Sequence, residues 1–256
     1  MKILKFKKQS KDKYKLYLDN NSDITLYEDV IIKNNLLITK EISDELLEAL
    51  KKQNNDMYAY TLALGYISVK MRSIKEINDY LIKKGFNNLV ASKVSERLIK
   101  EGYLNDLKYA KSFINDSMNL TNKGPQKIKM ELIKYGVNKD IIESEIALID
   151  QRKVEEKLNK LIDKELKIKK GSQNAIKIKI INHFVNLGYS KDLVTSILMS
   201  KEITSDKLKL KKDYAKLYNK YKVKYNGQEL LYFISQKLYS KGYTASDIKE
   251  VLKEEN

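Results

Sequence analysis

The chain of 256 residues has no cysteine and no tryptophan, and only one histidine and one proline. Without cysteine there are no disulfides and no thiolate metal sites, which fits a reducing compartment. A single histidine, His183, excludes paired imidazole ligands, and a P-loop or carboxylates at metal-ligand spacing are also missing. His183 precedes Phe184 in a helical run and reads as a structural or exposed residue. The Glu165-x-Lys167 pair resembles part of a nuclease site, but that chemistry needs a strand and upstream acids, and this pair lies in a helical stretch. The expectation is a protein that is not an enzyme and takes no cofactor or metal. No segment approaches the roughly 18 apolar residues of a membrane span, and Met1 to Lys8 lacks an apolar signal core. A soluble, cytoplasmic protein with no membrane partner is therefore expected.

Arginine is scarce too, at Arg72, Arg97 and Arg152, so lysine supplies nearly all of a net charge of +16. That excess is uneven. Residues 1 to 50 carry nine basic and nine acidic side chains, whereas 51 to 100 carry 10 and 4, and 151 to 200 carry 11 and 5. Residues 101 to 150 are close to neutral, with 7 basic and 8 acidic side chains. An electropositive surface over the helical part suits a polyanion such as nucleic acid.

With so little glycine, where it falls is informative. Helix-like runs end at Gly85-Phe86, Gly136-Val137, Gly188-Tyr189 and Gly242-Tyr243, at intervals of 51, 52 and 54 residues. Such a period marks an internal repeat. Eight residues before each glycine stands isoleucine (Ile77, Ile128, Ile180, Ile234), and four before stands Leu81, Leu132, Phe184 or Leu238. Three before stands Ile82, Ile133, Val185 or Tyr239, and the three positions together are read as one buried helix face. A helix that ends in the left-handed conformation needs a residue without Cβ at C′, and the apolar residue after it contacts C3. Gly102-Tyr103 repeats the device, which gives Tyr103, Tyr189 and Tyr243 a packing role. A second helix follows each glycine, with Val90, Ile141, Leu193 or Ile248 on its inner face.

The fold expected is mainly α: an elongated, curved array of three-helix repeats behind a small N-terminal β-containing element. Its divisions are 1–50 for a β/α extension, 51–72 for a lead-in helix, 73–122, 123–171 and 172–226 for repeats, and 227–256 for a partial repeat that caps the array. Strands are read near 3–6, 13–18 and 24–27, and short helices over 28–34, from a Ser43 cap to Leu50, and over 57–68. The first repeat opens with Ser73 and Glu76 as a capping box. Its helices are read at 73–84, 88–101 and 106–120. Pro125, directly after Gly124, starts the second repeat.

Several of these motifs together resemble the RecX family of bacterial regulators of the RecA recombinase, in its longer form. The residues are Arg72-Ser73-x-x-Glu76-Ile77 leading to Leu81 and Lys84-Gly85-Phe86, then Gly102-Tyr103-Leu104-Asn105-Asp106 with Lys108-Tyr109-Ala110, and Gly124-Pro125-x-x-Ile128-x-x-x-Leu132 closing at Gly136-Val137. Asn105 stands where the family usually has Asp, and Lys108 where Arg is common. The resemblance implies a monomeric protein without catalysis that lies in the groove of the RecA–single-stranded DNA filament. There it limits filament growth and strand exchange in recombination, DNA repair and the SOS response; duplex DNA is a further ligand it allows. Candidate contacts are Arg72, Lys75, Lys83, Lys84, Arg97, Lys123, Lys127, Lys129 and Lys134. Tyrosines 103, 109, 189, 214, 239 and 243 are available for base stacking, with packing preferred for the three that follow glycine. From the residues alone, a helical DNA-binding protein acting on its own and a protein-binding helical solenoid remain open.

Overall fold

The computed structural model describes residues 1–254. Fourteen helices follow three strands among these residues. Strands β1 (Ile3–Ser10), β2 (Lys13–Leu18) and β3 (Asp23–Tyr27) form an antiparallel sheet in the order β1-β2-β3, with Phe6 opposite Leu16 and Tyr14 opposite Leu26. Helices α1 (Glu28–Lys33), α2 (Leu36–Thr39) and the start of α3 (Asp44–Ile67) cover the sheet. Leu16, Leu26, Val30, Leu36 and Leu50 make the shared core.

The two helices expected at 43–50 and 57–68 are one. The polar run Gln53-Asn54-Asn55-Asp56 reads as a break, yet it holds no Gly or Pro and its amides are used. Asn54 accepts from the Tyr27 amide at 2.9 Å and donates to the Thr25 carbonyl at 3.0 Å, and Gln53 accepts from Asn34 at 2.8 Å. The run docks the sheet onto the middle of α3.

The remaining helices are α4 (Ile74–Lys83), α5 (Asn88–Lys100), α6 (Asp106–Leu120), α7 (Pro125–Lys134), α8 (Lys139–Ala147), α9 (Gln151–Ile168), α10 (Gln173–Asn186), α11 (Lys191–Met199), α12 (Lys207–Tyr221), α13 (Gly227–Ser240) and α14 (Ala245–Glu254). Their cores group one helix earlier than the glycine count suggests. Ala59 and Ala63 of α3 share a core with Ile77 and Leu81 of α4 and Val94 and Leu98 of α5. Likewise α9 (Val154, Leu158, Ile162) packs with α10 (Ile176, Ile180, Phe184) and α11 (Val194, Leu198). Leu210 and Tyr214 of α12 complete the core of α13 and α14, so the last pair, expected as a two-helix cap, has a third helix ahead of it. Between these triplets, Ala110 and Ile114 of α6, Ile128 and Leu132 of α7 and Ile142 of α8 are buried.

The chain divides into two compact units, Met1–Lys111 with Ile133–Ile141, and Ser112–Leu132 with the chain from Ile142 on.

The face of the first helix of each pair needs correction. Residues eight and four before the glycine are fully buried in all four pairs, but Ile82, Ile133, Val185 and Tyr239 are exposed. At 100° per residue the last of these lies roughly 100° from its neighbour at position −4 and about 140° from −8, on the flank of the stripe.

Candidate nucleic-acid and partner interface

Serine N-caps and capping glycines set the ends of several of these helices. At the start of α4, Ser73 Oγ accepts from the Glu76 amide at 3.1 Å and Glu76 Oε2 accepts from the Ser73 amide at 3.0 Å, a complete capping box. Ser172 and Ser190 cap α10 and α11 in the same way without the reciprocal acid. At the other end, Gly85, Gly136, Gly188 and Gly242 have φ of +95°, +76°, +92° and +87°. Phe86, Tyr189 and Tyr243 donate their amides back to Leu81, Phe184 and Leu238 at 3.1, 3.1 and 3.3 Å. The apolar residue after each of these four glycines is buried.

Three of these glycine caps are also joints, because the first helix of the preceding pair starts on them. Ser73 Oγ donates to the Tyr135 carbonyl at 2.7 Å, while the stem of Lys75 lies over Gly136, where a Cβ would stand 2.6 Å from Lys75 Cδ. The Gly124 amide donates to the Leu187 carbonyl at 2.7 Å and the Gln126 amide to Gly188 at 3.1 Å, and a Cβ on Gly188 would collide with the Lys127 backbone. Ser172 Oγ donates to the Lys241 carbonyl at 2.5 Å, and a Cβ on Gly242 would stand 2.9 Å from that of Asn174. Gly85 has open space in place of such a neighbour.

The candidate cations occupy different situations. The guanidinium of Arg72 stacks 3.7 Å from the Tyr66 ring and pairs with Glu76 at 3.3 Å, its side chain only 11% exposed. It is part of the module's interior and is not a free surface charge. Arg97 stacks 3.8 Å from the Tyr60 ring and bonds Glu101 at 2.8 Å, and Glu101 also accepts from the Tyr60 hydroxyl. Burial, with help from Glu101, pushes the Tyr60 hydroxyl up to about 12. Lys75 donates to the Lys134 carbonyl at 3.1 Å. Lys123 pairs with Glu131 at 2.6 Å and Lys129 with Glu143 at 2.7 Å. Lys83, Lys84 and Lys134 are exposed and enter none of the ion pairs of the described residues; Lys84 lies 5.6 Å from the Tyr80 ring. Lys127 is half-buried, its backbone against Gly188.

The tyrosines divide differently from expectation. Tyr103, given a packing role, is 55% exposed; the chain turns one residue later and Leu104 enters the core in its place. Tyr109, Tyr189, Tyr214 and Tyr243 are buried, and Tyr239 is exposed. Tyr218 and Tyr232 are exposed as well and stand on helix flanks whose sequence gives no cue to it. Glu165 pairs with Lys169 on α9, a helix, and His183 is exposed beside Phe184. Among the described residues no cluster of His, Cys, Asp and Glu could hold a metal ion, and no helix is long and apolar enough to cross a membrane.

A second row of lysines, absent from the sequence-based set, lines a groove in the unit that holds α9. Lys153, Lys157, Lys160 and Lys164 recur along one face of α9 opposite Asn119, Leu120, Thr121 and Asn122 at the end of α6. Lys157 donates to the Met118 carbonyl at 2.6 Å and so caps α6, and burial lowers its pKa. In the sequence this row is hidden among the many lysines of a helix whose default reading is a solvated face.

Comparison with known proteins places these features. The model of the first three-helix domain of RecX matches residues 59–98, and that of the second matches 105–144. The former takes in the end of α3 with α4 and α5, the grouping seen in the core. The regulatory protein RecX of Streptococcus uberis is 36% identical over 259 residues, covering 99% of both chains. That of Staphylococcus aureus is 27% identical, covering 98% of this chain and 94% of the relative. A crystal structure of regulatory protein RecX shares the fold with a TM-score of 0.68 at 23% identity, covering 77% of this chain and 98% of that one. The crystal structure of RecX from Lactobacillus salivarius is 28% identical with a TM-score of 0.53, over 57% of this chain and 96% of that one. With a relative 36% identical along its whole length and both three-helix domains matched in order, the chain belongs to the RecX family of regulatory proteins.

Proposed function

We propose that this chain is a non-catalytic regulator of the RecA recombinase. It binds the groove of the RecA–single-stranded DNA filament, limits filament growth and thereby restrains strand exchange in recombination, DNA repair and the SOS response. It acts in the cytoplasm as a monomer and needs no cofactor. The observation that carries this reading is the match to regulatory proteins named RecX along nearly the whole chain. The serial joints support it: a filament offers the same surface at every protomer, and linked modules engage successive protomers at high effective concentration. Lys83, Lys84 and Lys134 are the members of the sequence-based set left to face a partner.

The test is the single-strand-dependent ATPase and DNA strand exchange of the RecA from the same organism, with and without this protein. Suppression of both at less than one regulator per RecA is expected. Unchanged ATPase and strand exchange, together with no binding to assembled filaments, would overturn the proposal.

A further inference from the structure

We infer that the groove between α9 and the end of α6 holds a stretch of single-stranded DNA, with phosphates on the lysine wall and bases toward the opposite wall. This rests on the DNA-binding part of the function proposed above and gives it a location outside the sequence-based set.

The groove has a volume of about 370 Å³. Lys153, Lys157, Lys160 and Lys164 fall at i, i+4, i+7 and i+11, within about 60° of helix rotation, and span roughly 16 Å at 1.5 Å per residue. Lys157 is committed to the Met118 carbonyl at the end of α6, at 2.6 Å, and to the Lys123 carbonyl beyond it, at 3.5 Å. Lys153, Lys160 and Lys164 are exposed and enter none of the ion pairs of the described residues. Glu156, on the flank of this face, is the one carboxylate among the lining residues, and Asp163 and Glu165 are paired elsewhere, with Lys201 at 2.8 Å and Lys169 at 3.0 Å. With two of the four acids of α9 drawn off to other partners and three lysines facing one groove, the helix is suited to a row of phosphates.

The opposite wall selects the kind of nucleic acid. Asn119 and Asn122 present exposed amides, and Leu120 is 80% exposed between them. Amides pair with the Watson–Crick edges of bases and an apolar side chain covers a base face, and both the Watson–Crick edge and the face are free only when the base is not paired and stacked in a duplex.

Two triple variants that change charge equally provide the test. Lys153→Glu/Lys160→Glu/Lys164→Glu alters the groove, and Lys212→Glu/Lys216→Glu/Lys220→Glu alters an exposed row on α12. Binding of a fluorescent oligothymidylate is followed by anisotropy across a salt series, with circular dichroism confirming helix content. The parent should bind with a steep salt slope, and the groove variant should lose about two units of that slope, near 0.7 for each of three phosphates. The α12 variant should stay near the parent, and Lys→Arg at the three groove positions should retain binding. Equal losses in both triple variants, or an unchanged slope in the groove variant, would overturn the groove while leaving DNA binding intact. A parent with no salt-dependent binding would overturn the DNA-binding reading and the groove with it. Asn119→Ala/Asn122→Ala should narrow the preference for single strand over duplex; an unchanged preference would refute the assignment of the second wall.

Discussion

At the scale of single residues, glycine carries two separable demands. Gly85 needs only its left-handed φ, since nothing stands within 4 Å of where a Cβ would be. Gly188 needs the same φ and also the absence of the Cβ, which would meet the Lys127 backbone. Gly85→Ala should therefore cost about 1 to 2 kcal/mol, the penalty of the left-handed conformation. Gly188→Ala should cost more by at least about 1 kcal/mol, because overpacking adds to it. Urea unfolding followed by circular dichroism compares them, and equal costs would mean that the Gly188 joint yields freely. The capping glycines were legible because the chemistry is local: C′, C″ and C3 are fixed by sequence spacing. Tyr103 was not legible, since which of two adjacent apolar residues enters the core after Gly102 depends on a turn that spacing leaves open. Arg72 was misread for a similar reason. Its charge is visible in the sequence, but the Tyr66 ring that covers it is brought there by tertiary packing.

Among elements, the helices came through because their apolar stripes are strong and their ends are marked by Ser, Gly and Pro. The grouping into triplets did not, since a repeat's period is readable but its phase is set by which helix shares which core. The α12–α14 triplet also has a polar tie. Asp213 of α12 accepts from Tyr243 at 2.9 Å, Lys241 at 3.1 Å and Lys209 at 3.3 Å. Burial would raise the Asp213 carboxyl, but those hydrogen bonds outweigh it and hold the group below its ordinary value. A carboxylate whose folded pKa is depressed contributes stability above its unfolded value, near 3.9, that is lost as pH falls through the folded value. The parent should therefore lose protection of the Leu238 and Tyr243 amides as pH drops below about 4, as read by hydrogen exchange corrected for intrinsic rates. Asp213→Asn should be less protected at pH 6 and show a flatter acid limb, and an acid limb as steep as the parent's would place the titrating group elsewhere.

For the molecule as a whole, the charge excess separates into lysines spent on internal partners and lysines left outward. Of the sequence-based set, Lys83, Lys84 and Lys134 are in the second class, so they test the filament proposal most cleanly. Lys83→Glu/Lys84→Glu and Lys134→Glu should leave stability within about 0.5 kcal/mol of the parent. Each should weaken competition for RecA–DNA filaments, by roughly fivefold if each group contributes about 1 kcal/mol, and the combined variant by more than either. A combined variant that suppresses RecA ATPase as strongly as the parent would move the contact to other surfaces, the α9 groove first among them. The sequence pointed to a basic helical array but not to which lysines are available, because an ion pair such as Lys123 with Glu131 joins residues that the helical pattern alone does not single out from many alternatives.

The joints described above have a consequence for how such chains change length over generations. Each is built from a helix start set against a glycine and the carbonyls beside it, so it asks almost nothing of side-chain identity on the receiving face. A joint of that kind works like a standard coupling: a module inserted or removed by gene duplication or deletion would meet its new neighbour through contacts already present. No matched pair of substitutions would have to arise first, and the number of modules becomes a quantity that selection can adjust without redesigning the core.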